Sequence, residues 1–146
     1  MVKVNKGNKF NIESAVESIN RIVPVEFDDI DIRDCGYFCH PDDEFPKGII
    51  IINQNHSPIV QFQSVVHEFA HFVDIVERGN ANNAVIDAEV VAFAAENIIV
   101  NNVPVHVAIN AANRRVREDY NVGFVPCCVE PEDVIPVVER IRAVIE

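Results

Sequence analysis

The chain has 146 residues, 49% of them apolar and 24% charged, with a net charge of −11. That length makes one domain over residues 1–146 with enough apolar material for a core. The acidic balance, without any lysine or arginine cluster resembling a phosphate footprint, argues against direct nucleic-acid binding and suits a bound cation or a cationic or neutral partner.

Met1-Val2-Lys3-Val4-Asn5-Lys6 is followed by polar residues rather than an apolar leader. No apolar run approaches the roughly 20 residues a membrane span needs. The expectation is a cytoplasmic protein without a membrane segment, whose Cys35, Cys39, Cys127 and Cys128 are reduced thiols. A zinc site built from Cys35, Cys39, His40, Cys127 and Cys128 would have non-standard spacing, and adjacent cysteines ligate one ion poorly.

In chain order, Ile12, Ala15, Val16, Ile19 and Ile22 follow helical spacing and predict a packing helix over residues 12–23, stopped by Pro24. From Val25 the pattern alternates through Phe27, Ile30 and Ile32, which reads as a short strand or a hairpin turning near Asp28-Asp29. Cys35-Gly36-Tyr37-Phe38-Cys39 suggests another short strand, and residues 40–48 form an acidic, turn-rich connector in which His40 and the acids could line a groove. The run Ile49-Ile50-Ile51-Ile52 predicts a strand covered on both faces.

Ser57 as cap and Pro58 at the first position open a helix over residues 58–78. It carries Val65-Val66-His67-Glu68-Phe69-Ala70-His71-Phe72-Val73, whose centre reads H-E-x-x-H. Residues four apart share a helix face, so His67 and His71 can grip one Zn²⁺ through ring nitrogens at about 2.0–2.1 Å. Glu68 stands beside such a metal, where a general base for an activated water belongs. The flanks are apolar enough to bury this helix, and buried polar groups need partners, which a metal supplies to all three together. The plainer reading makes one histidine a carbonyl cap and the other a surface residue. His56 reads as an exposed loop residue, and Asp74 either orients a ligand histidine or forms an ordinary solvated or paired acid.

A second apolar helix over residues 84–100 is interrupted by Asp87, Glu89, Glu96 and Asn97. A catalytic zinc takes three protein ligands and keeps one open position. Glu89 is the chosen third ligand, because an ionised carboxylate among alanines and valines is costly without a cation. Ala88, Ala92 and Ala95 would let the two helices approach closely. A salt bridge or an edge position is the alternative for Glu89. Asp87 faces elsewhere, and Glu96, two turns from Glu89, is too far for the same ion. Pro104 starts a third helix to about Asp119, whose Arg114-Arg115-x-Arg117 end suits a helix C-terminus. Residues 120–129 are irregular, and Glu130-Pro131-Glu132-Asp133 begins an amphipathic helix over residues 134–145.

The β-branched strand, the His67-Glu68-Phe69-Ala70-His71 helix and the stretch Glu89-Val90-Val91-Ala92-Phe93-Ala94-Ala95-Glu96-Asn97-Ile98-Ile99 together resemble the ImmA/IrrE family of metallopeptidases. The resemblance covers residues 48–100. It implies an α+β, minimal zincin-like domain: a small β-sheet packed against a helical bundle that carries the motif helix. It also implies His67, His71 and Glu89 as zinc ligands, Glu68 as the base, and a helix-turn-helix repressor as a candidate substrate. The sequence departs from the family pattern at Val90-Val91, where Ala-Asn is usual, and at Asn101-Asn102, where a closing proline is usual.

Two functions are therefore expected. One is a zinc-dependent endopeptidase acting on a protein or peptide. The other is a non-catalytic zinc-binding interaction or structural protein, which a fourth protein ligand from His40, His56, His106 or a cysteine would favour. His106 and Tyr120 are the candidates for a transition-state donor.

Overall fold

The computed structural model describes residues 9–31, 33–81, 83–123 and 128–146. The elements run α1 (Lys9–Asn20), β1 (Val25–Asp28), β2 (Gly36–Cys39), β3 (Ile49–Asn53), α2 (Pro58–Phe72), α3 (Val85–Asn101), α4 (Val105–Asp119) and α5 (Pro131–Ile145). This is an α+β arrangement of five helices and one three-stranded mixed sheet.

The sheet is built around β3. Strand order is β1-β3-β2, with β1 parallel to β3 from Val25↔Ile50 to Asp28↔Asn53 and β2 antiparallel from Gly36↔Ile52 to Cys39↔Ile49. The residues of β3 are all buried, as the four isoleucines predict for a strand flanked on both sides. The hairpin reading of the segment after Val25 is not what forms. Asp28 ends β1, and β1 lies against β3 rather than against the chain that follows it. The reason is pairing geometry: β3 offers a long apolar strand with two free edges, and β1 and β2 each take one. Gly48 leads the chain into β3 at φ +86°, a left-handed conformation that glycine adopts without a side-chain clash.

Asn53 ends β3 and organises the loops around it. Its buried Nδ2 donates to the carbonyls of Asp31 and Asp34 at 3.1 and 2.9 Å, and its Oδ1 accepts from the Asn55 amide at 2.9 Å. The Gln61 side chain donates to its carbonyl at 3.1 Å, which ties the start of α2 to the end of the strand.

Helix α1 begins at Lys9, three residues before the expected start, and ends at Asn20, whose Oδ1 accepts from the Val25 amide at 2.8 Å. Helix α2 begins at Pro58 as expected, but Ser57 makes no capping hydrogen bond with its side chain. Its end differs from a plain α-helix: Val73–Glu77 form a π-helical turn, with the Arg78 amide donating to the Val73 carbonyl at 2.9 Å. Helix α3 closes on Asn102 at φ 54°, and α5 opens on a capping box between Glu130 and Asp133.

The core lies between the sheet and the helices. Ile50 and Ile52 share one buried cluster with Phe62, Val65, Phe69 and Phe72 of α2, Val90, Ala94 and Ala95 of α3, and Val134, Val137 and Ile141 of α5. Phe62 and Phe69 are completely buried, and each such side chain contributes about 1.5–3 kcal/mol relative to exposure. Helix α3 packs against α2, α4 and α5, so α2 and α3 are the two helices held most centrally. Among the described residues no helix is long and apolar enough to cross a membrane.

Candidate metal centre

The apolar faces of α2 and α3 fix where their polar residues meet. On α2, Val65, Val66, Phe69 and Ala70 are fully buried, which turns His67 and His71 toward α3 while keeping them only 7% and 9% exposed. On α3, Ala92 and Ala95 are buried at the junction, as close helix packing requires. The helices run antiparallel: advancing from His67 to His71 along α2 moves the contact from Glu96 back to Glu89 along α3.

The three expected ligands come together. His67 Nε2 lies 3.1 Å from Glu89 Oε1, and His71 Nε2 lies 2.7 Å from Glu89 Oε2. One ligand atom from each of His67, His71 and Glu89 fits within a 4.8 Å span. The imidazole rings are 4.9 Å apart and nearly perpendicular, with both Nε2 atoms directed at one carboxylate. Two imidazole nitrogens and a carboxylate oxygen form a donor set that suits a divalent metal ion, so these residues can hold one. Among the described residues this is the group with that property. Cys35 and Cys128 are exposed and Cys39 is half-buried, and none of them joins it. Cys127 lies outside the described residues.

Glu96 was the residue whose role the sequence hid. It is not part of the ligand group, consistent with its distance along α3, yet its Oε1 meets Nδ1 of His67 at 3.2 Å. A carboxylate on the far nitrogen fixes the ring so that Nε2 faces the ligand position. The seven-residue interval from Glu89 to Glu96, two turns on one face, was the available signal. Asp74 does not take this part. The π-helical turn carries it to Asn80, whose side chain donates to Asp74 Oδ1 at 2.8 Å and whose amide donates to the Asp74 carbonyl at 3.0 Å.

Electrostatics follow from this crowding. Burial disfavours charge on His67, but the carboxylates of Glu89 and Glu96 override it and lift its pKa from 6.5 to about 10. Burial likewise pushes the Glu89 carboxyl up, and the hydrogen bonds from His67 and His71 more than reverse that, holding it well below the usual carboxylate range. Glu68 has no such compensation in full: burial raises its carboxyl, with the two imidazoles pulling back.

These groups line a cleft of about 490 Å³. One wall is β2 with Tyr37 and Phe38, another is α2 with His67, Glu68 and His71, and α3 adds Glu89, Phe93 and Glu96. His40 reaches the cleft, as the sequence allowed, whereas Asp42, Asp43 and Glu44 stay outside its lining. His56 sits near Asn53 in the turn before α2, and His106 and Tyr120 are exposed and also outside the lining. Arg115 of α4 reaches the cleft instead, with its guanidinium 4.0 Å above the Phe93 ring. The sequence showed Arg115 only as part of a basic helix end.

Comparison with family models, with curated proteins and with solved structures finds no match to this chain.

Proposed function

We propose that this protein is a zinc-dependent endopeptidase with a minimal zincin-like domain, related in type to the ImmA/IrrE metallopeptidases. The observation that carries the proposal is the convergence of His67 Nε2 and His71 Nε2 on the Glu89 carboxylate, beside Glu68, in an open cleft. Three protein donors leave a position for water or substrate, which favours catalysis over a purely structural ion. A repressor-like protein remains the candidate substrate on the sequence resemblance.

Bound at this site, zinc would supply Lewis-acid polarisation of the scissile carbonyl and acidify a water. Glu68 lies one residue from His67 on the cleft wall and has its carboxyl raised by burial, so it is suited to take a proton from water and release it again. As the water oxygen bonds to the carbonyl carbon and the C–N bond breaks, Glu68 returns that proton to the departing amine nitrogen. Glu96 holds the His67 ring through Nδ1 meanwhile.

Glu68→Gln decides the matter. The variant should hold about one zinc per chain by elemental analysis and cleave an unfolded protein such as casein roughly 10²–10⁴-fold more slowly, the range typical of a lost general base. His71→Ala and Glu89→Ala should lose the metal itself. Glu68→Gln protein with zinc and undiminished cleavage would overturn the mechanism, and wild-type protein that takes up no zinc would overturn the whole reading.

A further inference from the structure

Arg115 is the lysine or arginine that lines the cleft, and among the described residues no other does. Helix α4 packs along α3 and brings the guanidinium 4.0 Å over the centre of Phe93, whose ring lies 4.3 Å from that of His67. Attraction to the ring face positions the cation without using any of its N–H donors. Its nearest acid is Asp119, one turn on, at 3.8 Å from Nε, which is beyond hydrogen-bonding range. Of the three acids that share the cleft, Glu89 is committed to both histidines and Glu96 to His67, and the third, Glu68, is the proposed base. A cation seated on a ring, with donors available, therefore faces the cleft of a strongly acidic chain, two ring contacts away from a metal-site histidine.

We propose that Arg115 receives a carboxylate of the substrate. This rests on the peptidase reading of the same cleft and gives it a specificity. The carboxylate comes either from an acidic side chain near the cleaved bond or from the C-terminus of the bound peptide. The planar guanidinium offers the paired N–H donors that a carboxylate accepts, so a lysine at this position would serve less well.

Binding to zinc-loaded protein tests this without reliance on turnover. Acetohydroxamate, titrated by calorimetry, reports the metal position alone. Hydroxamates of graded tail length are then compared in pairs, one ending in a carboxylate and the other in a primary amide. The expected result is a tail length at which the carboxylate binds about tenfold tighter than its amide, a difference near 1.4 kcal/mol. Arg115→Gln should abolish that preference and Arg115→Lys should keep part of it. Circular dichroism and acetohydroxamate binding show whether each variant is intact, and the lysine variant decides if the glutamine variant does not fold.

Competing peptides separate the two sources. A blocked tripeptide with a central glutamate that outcompetes its neutral counterpart assigns the side chain. An otherwise neutral peptide with a free C-terminus that does so assigns the terminus. Equal binding of carboxylate and amide tails at every length, with acetohydroxamate still bound, overturns the role of Arg115 alone. So does a preference that survives in Arg115→Gln. Absence of acetohydroxamate binding in the wild type overturns the metal reading, and this assignment with it.

Discussion

Glu96 and Asp74 show how little separates two acids that the sequence could have cast in the same part. Both lie within a few residues of the expected ligands, and both are substantially buried. Only Glu96 meets a histidine, at 3.2 Å from His67 Nδ1, while Asp74 is taken up by Asn80. Removal of a carboxylate that steadies a ligand imidazole typically weakens metal binding by about 10–100-fold. Glu96→Ala should therefore lower zinc affinity by that factor, measured by competition with a chromophoric chelator. Glu96→Gln keeps an acceptor oxygen and should recover most of the loss. An affinity unchanged in Glu96→Ala would mean that packing against Phe93, 4.3 Å from the ring, suffices to hold His67.

Among the elements, β2 carries a glycine of its own at a position with no room for a side chain. A Cβ on Gly36 would stand 2.6 Å from the Ile51 carbonyl oxygen and 3.1 Å from Ile52 Cδ1. The first of these is backbone in the central strand and cannot swing away. Gly36→Ala should cost about 1–3 kcal/mol, as overpacking does, read from urea unfolding of the zinc-free protein. An unchanged midpoint would show that β2 can slide outward on β3. The same strand marks a limit of legibility. Its existence was readable from Gly36-Tyr37-Phe38-Cys39, and β3 was readable from its isoleucines, but which strand pairs with which was not. Alternation records the faces of a strand and is silent about its neighbours. Helices α2 and α3 were legible because period and motif agreed: His67, His71 and Glu89 each fell where a helical face placed them. The π-helical turn at Val73–Glu77 left no such signal; Asp74 lies on it and accepts from Asn80, which matches the second of its two readings, an ordinary paired acid. Arg115 was hidden for another reason. Its position over Phe93 depends on how α4 packs against α3, a contact between elements that no local pattern encodes.

For the whole molecule, the consequence is that pH should act in opposite directions on the stability of the metal-free form and on the increment that zinc adds to it. His67 has its pKa raised to about 10 in the fold against about 6.5 in an unfolded chain, with burial opposed and overcome by Glu89 and Glu96. Its contribution to stability is thus fully present below about pH 6.5 and is lost as pH rises toward 10. Glu68, raised by burial, acts in the same sense: its contribution is present below its ordinary value and lost as pH rises through its raised one. Glu89 is lowered, so its share is present above the ordinary carboxylate range and lost only as pH falls through its depressed value. From pH 6 upward the first two govern, and protein kept in EDTA should melt at progressively lower temperature. Metal binding must displace the proton on His67, which becomes easier as pH rises. The increase in melting temperature given by saturating zinc should accordingly grow between about pH 6 and pH 9, reflecting tighter binding to the native state. Scanning fluorimetry across that range checks both slopes. His67→Gln supplies the control: it removes the titrating group, so its metal-free melting temperature should depend less on pH than that of the wild type, while the general repulsion of a chain of net charge −11 is retained. Identical slopes in the two proteins would place the pH dependence in that overall charge and take it away from the histidine held between Glu89 and Glu96.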